Sequence, residues 1–199
     1  IASHMENKQL SEKESLQLIA QMIQQSQYRL AKNAGTPFLI WGYMTAILSL
    51  VIWMLIRETA NPQWNFLWLL LPAVCYPLMT YLNRRNEQMV KTYIDRIIGQ
   101  VWTVFGIAGI LISGVAMFLW HIPILFIILL LMGMGTALSG MIIKVRVLTI
   151  CGALGALLSV GCLMIGGADQ LIFFATAFLI MMVIPGHALN RMAAQISAV

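Results

Sequence analysis

The chain has 199 residues, of which 60% are hydrophobic and 10% charged, and its mean hydropathy is +0.86. Globular domains carry about a quarter charged residues, so the composition argues against a soluble fold and for long apolar runs solvated by lipid. The net charge of +5 does not point to nucleic acid, because the bases sit at the ends of apolar runs, where lipid headgroups account for them.

Ile1–His4, ahead of Met5, read as a cloning scar, so His4 is not a candidate functional residue. Residues 5–36 are expected to form a cytoplasmic amphipathic helix. Ser11 with Glu14 fits a capping box, and Gly35 followed by Pro37 supplies stop signals. Leu16, Ile19, Ile23 and Leu30 share one face of this helix, and the opposite face is glutamine-rich and nearly neutral. A helix that grips anionic lipid normally has a more basic polar face. The spacing therefore favours docking on protein: a cytoplasmic partner, a second copy, or this chain's own loop. The segment carries acids and bases together and is not expected to be a secretory signal.

Residues 37–189 hold six apolar runs, at about 37–56, 64–82, 97–120, 122–143, 147–165 and 171–189, each near the roughly 20 residues that cross the hydrocarbon. They lack the two-residue alternation of barrel strands, so the predicted fold is an all-α integral membrane protein. Short turns containing Pro or Gly, "RETANPQ", "HIP" and "GGADQ", join the runs into three hairpins on one side. With the N-terminus inside, every Lys and Arg except Arg57 falls in the cytoplasm. This bias predicts cytoplasmic termini in a bacterial inner membrane. Residues 190–199 form the cytoplasmic tail.

The loop Asn83–Arg96 carries Glu87, Lys91 and Asp95 four apart, which supports a helical elbow. The second and sixth runs share an ending, with Leu-Asn-Arg after a proline in both "YPLMTYLNRR" and "IPGHALNRMA". The threefold hairpin layout resembles that of mitochondrial carriers, but Leu78 and Met79 follow Pro77 where their signature has an acid, so the resemblance is rejected.

Candidate chemistry is sparse. Every acidic residue lies outside the hydrocarbon, which argues against proton or sodium coupling and against hydrolysis within the bilayer. Cys75, Cys151 and Cys162 lie inside apolar runs without CxxC spacing or a neighbouring histidine, so neither disulfides nor a metal site is expected, and no cofactor. Small residues, including Gly106, Gly109, Gly135, Gly155 and Ser159, read as helix-packing positions. Asn83, Arg84, His187, Asn190 and Arg191 fall on one membrane face as candidate contacts for an anion or a lipid headgroup.

The stretches "FLIWGYMTAI" and "IPGHALNR" resemble those of small six-span bacterial membrane proteins of uncharacterised function. The resemblance implies a fold and carries no catalytic or transport motif. Three functions stay open. The first is a non-enzymatic regulatory, sensing or scaffolding subunit that acts through its cytoplasmic face. The second is a small transporter, exporter or channel for a neutral or lipophilic solute. The third is a lipid-modifying enzyme in which arginine would hold a phosphate and His187 would move a proton. The expected partners are the lipid bilayer and a cytoplasmic protein or second copy, with no nucleic acid.

Overall fold

A computed structural model describes residues 12–85, 93–118 and 122–197, with the side chains of 12–16, 18–34, 83–85, 117, 196 and 197 left aside. The described chain is all helical. Helix α1 runs Glu12–Thr59, a 3-10 segment Pro62–Leu69 leads into α2 (Leu70–Arg85), and α3 is Tyr93–Phe118. Helices α4 (Ile124–Ile143) and α5 (Arg146–Leu158) follow, then the short α6 (Gly161–Met164). The last span is α7 (Asp169–Phe178), a π segment (Leu179–Val183) and α8 (Ile184–Ser197). Six helical stretches are long and apolar enough to cross a membrane, so the chain is a multi-pass membrane protein by length and composition.

The helix stop expected at Gly35 and Pro37 is not there, and α1 passes both as one helix of 48 residues. A proline removes one ladder hydrogen bond, and the long apolar stretch that follows Pro37 keeps the helix going in lipid, where backbone groups have no other partner. Gly35 serves close packing instead of a stop.

Glycine decides how the core is built. A Cβ on Gly133 would lie 2.5 Å from the backbone N of Ala156, and one on Gly140 or Gly152 would strike the backbone at Thr149 or Ala137. Helices α4 and α5 therefore touch backbone to backbone as an antiparallel hairpin. Its turn is closed by Lys144 in the left-handed region (φ 61°), with Val145 N–H donating to the Gly140 carbonyl at 2.9 Å. The last span lies against this hairpin and α1, and 56% of its apolar window is buried, against 6% for the second span and for α3. Four spans form the core, and two ride on it.

The outlying spans are held by aromatic rings. Trp68 of the 3-10 segment meets Phe174 edge-on at 5.6 Å, and Phe174 packs on Phe178 at 4.8 Å. From α3, Trp102 stands edge-on to Phe38 at 5.6 Å and donates its indole N–H to Ser139 Oγ at 3.1 Å. With Phe38, Trp102 and Ser139 at one level, the order of the helices puts Arg96, Lys144, Arg146 and Arg191 toward the end of the bundle marked by Gly35. At the other end, Trp53 donates to Asp169 at 3.1 Å, and Arg57 approaches that carboxylate at 3.9 Å. Bases are in excess at the end marked by Gly35, where Asp95 accompanies Arg96, and the other end pairs Arg57 with Asp169.

Candidate functional site

The sequence candidates on α8 come together with α1. Pro185 has no N–H to return to the preceding turn, and just before it the helix widens into the π segment, where Ile184 N–H reaches back to Leu179 O. Such single wide turns are frequent at functional positions. Gly186 follows, buried, with Leu39 Cδ2 2.9 Å and Gly35 O 3.3 Å from where its Cβ would stand. Gly35 reciprocates: a Cβ there would strike the Asn190 side chain and lie 3.1 Å from Gly186 O. Two turns along α1, Gly42 accepts Val183 Cγ2 at 2.8 Å and Met182 Cβ at 3.1 Å in the same way. The pair Gly35 and Gly42 makes a groove seven residues long, and the end of the last span lies in it.

Asn190 therefore turns inward onto Gly35 and away from the surface it was expected to share with Arg191. His187 also meets α1, farther along it at Tyr43. Its Nε2 is hydrogen-bonded to the Tyr43 hydroxyl at 2.8 Å, with the rings 6.0 Å apart at 74°. Tyr43 and His187 are both exposed on the side of the bundle, and Arg191, one turn beyond His187 on the same face of α8, is exposed as well. Asn83 and Arg84 lie in the last turn of α2, and their side chains lie outside the described residues. The face of Leu16, Ile19, Ile23 and Leu30 is likewise outside them, though its backbone is part of α1.

The packing candidates occupy different surroundings. Gly155 admits Met181, whose Sδ would be 2.5 Å from a Cβ there. Gly135 lies under the Phe105 ring at 3.5 Å, and Gly109 has Ile128 at 3.8 Å. A Cβ on Gly106 would meet nothing within 4 Å. Ser159 is buried and donates to Ala156 O at 2.6 Å. Buried Thr45 Oγ1 has no hydrogen-bond partner among the described residues. Among the described residues, no three His, Cys, Asp or Glu side chains gather as a metal site.

Sequence reading missed Tyr43. Its signal was its position directly after Gly42, which is in register with Gly35. The arrangement is suited to hydrogen bonding at a membrane surface. The described partner of His187 is a phenol, which does not activate it as a base in the way a carboxylate does. No protein-family model matches the chain, and neither the curated proteins nor the solved structures contain a match to it.

Proposed function

We propose that this chain is a non-enzymatic subunit of a bacterial inner membrane, with both termini cytoplasmic, that receives a protein partner on its N-terminal helix and relays the docking to its core. The observation that carries this reading is α1, one helix of 48 residues and so about 72 Å long. The stretch of it long and apolar enough to cross a membrane is Gly35–Thr59, which leaves about 35 Å, some six turns, projecting ahead of Gly35 at the basic end. The same rod passes through the Gly35–Gly186 crossing without a break. A force on the projecting turns therefore acts directly on the contact with α8, where a hinged linker would dissipate it. The apolar face of Leu16, Ile19, Ile23 and Leu30 is the docking surface in this reading, with a soluble cytoplasmic protein or a second copy as occupant.

Two experiments test it. Affinity capture in mild detergent is expected to recover a partner with the native chain and to lose it with Ile19→Glu and Ile23→Glu combined; an unchanged set of captured proteins would remove the proposal. For orientation, a membrane-impermeant maleimide applied to intact cells is expected to label Ala60→Cys and to spare Lys144→Cys. The reverse pattern would place the projecting helix outside.

A further inference from the structure

We infer that Tyr43, His187 and Arg191 form a binding site for a phosphate group at the membrane surface, supplied by the headgroup of an anionic phospholipid. The inference is independent of which partner the N-terminal helix takes.

The chemistry follows from the hydrogen bond between Tyr43 and His187. If the phenol donates to Nε2, the imidazole proton sits on Nδ1 and is free to donate. If Nε2 carries the proton and donates to the phenol oxygen, the phenol O–H is free to donate. A charged imidazole leaves both donors free. In every protonation state the pair offers at least one hydrogen-bond donor. Arg191 adds donors only, in a fork that fits two oxygens of one phosphate. A cluster rich in donors, with a positive charge, selects an anion rich in acceptors.

Depth names the source. Asp169 and Arg57 mark one boundary of the bundle. Measured along the last span from Asp169, His187 lies about 27 Å away and Arg191 about 33 Å. These positions straddle the second boundary of a hydrocarbon layer about 30 Å thick. A hydrated headgroup phosphate resides at that level. His187 is exposed there, and Tyr43, about 21 Å from Arg57 along α1, brings its hydroxyl up to it from the hydrocarbon side; the donor that their mutual hydrogen bond leaves over is costly to keep without an acceptor at that depth. Asn190 takes no part, since its side chain packs against Gly35 inside the crossing.

The site has a structural consequence as well. It joins α1 through Tyr43 to α8 through His187 and Arg191, so a bound phosphate clamps the crossing that Gly35 and Gly186 make. Headgroup occupancy and the position of α1 are then linked, and each favours the other.

Native mass spectrometry of the full chain tests the proposal, using equal amounts of dioleoyl phosphatidylglycerol and dioleoyl phosphatidylcholine. The native chain is expected to retain the anionic lipid about tenfold over the zwitterionic one, the scale of one charge-assisted hydrogen bond. Arg191→Gln and Tyr43→Phe should each remove most of that preference, and Arg191→Lys should restore only part of it. Tyr43→Phe removes one exposed oxygen and keeps the ring, so its result does not depend on a disturbed fold. Equal retention of the two lipids by the native chain, or native-like retention by both variants, overturns the site. A third arm adds inorganic phosphate. If phosphate at the lipid's own concentration displaces the retained lipid, the ligand is a soluble phosphate and the lipid assignment fails.

Discussion

The contrast between Gly152 and Gly106 is the sharpest physical distinction among the glycines, and the two residue types are identical. At Gly152 a methyl group would meet the backbone of Ala137, which cannot swing aside as a side chain can. At Gly106 it would meet nothing. Gly152→Ala is therefore expected to destabilise the protein by about 1–3 kcal/mol, the cost of overpacking a closed contact. Gly106→Ala is expected to fall within about 0.5 kcal/mol of native. Unfolding both variants with SDS in mixed micelles measures the difference; equal effects would mean that α4 and α5 do not touch through their backbones. The same contrast explains why small residues are a poor guide from sequence alone. Gly106 and Gly152 both sit in apolar runs, and only the neighbouring helix decides which one is a contact.

Among the elements, α1 is the one whose length alters what the protein is able to do. A short helix, a stop and a separate span would make the N-terminal segment a tethered arm. A continuous helix makes it a lever. Nitroxide labels at Gln24→Cys and Met54→Cys should lie about 45 Å apart along an unbroken helix, with a narrow distribution by electron–electron double resonance. A broad distribution centred well below that value would indicate a hinge near Pro37. The native cysteines are buried, which favours labelling at the two introduced sites. Gly35 followed by Pro37 has the spelling of a helix end, and that spelling misled because it encodes two other things. Gly35 gives room to Asn190 and Gly186, and Pro37 is tolerated where lipid leaves the backbone no alternative to the helix.

In the whole molecule, burial is uneven: α1, α4, α5 and the last span share a core, while the second span and α3 lean on it through Trp68 and Trp102. Regions with few buried contacts open first. Cys75 on α2 and Cys162 on α6 are both buried in the native state and serve as paired reporters. With rising SDS, Cys75 is expected to become reactive to maleimide before Cys162; simultaneous exposure would show one cooperative unit. Hydropathy revealed the six apolar crossings, because lipid demands an unbroken apolar run from each span by itself. It left hidden which spans form the core, because lipid-facing and core-facing leucines are equally apolar and the charge pattern is silent about both. The candidate site was legible in part for the same reason. Polar residues such as His187, Asn190 and Arg191 stand out against an apolar background, whereas the inward turn of Asn190 and the partnership of Tyr43 depend on a helix more than a hundred residues away.

The π segment has a meaning for how this chain tolerates change in length. A turn closed from Ile184 back to Leu179 holds one residue more than an α-helical turn. Elsewhere in the last span, losing one residue would swing everything after it by about 100° and carry His187 away from Tyr43. Within Leu179–Val183 the surplus residue is already looped into the turn, so deleting Ile180 closes the turn and leaves the faces of α7 and α8 where they were. In a scan of single-residue deletions from 170 to 184, folded and stably inserted protein is expected only from those at 179–183, as read by monodisperse elution in detergent. Uniform loss across the scan would contradict this. The segment is the one place in the last span where the reading frame of the helix can slip without turning its faces.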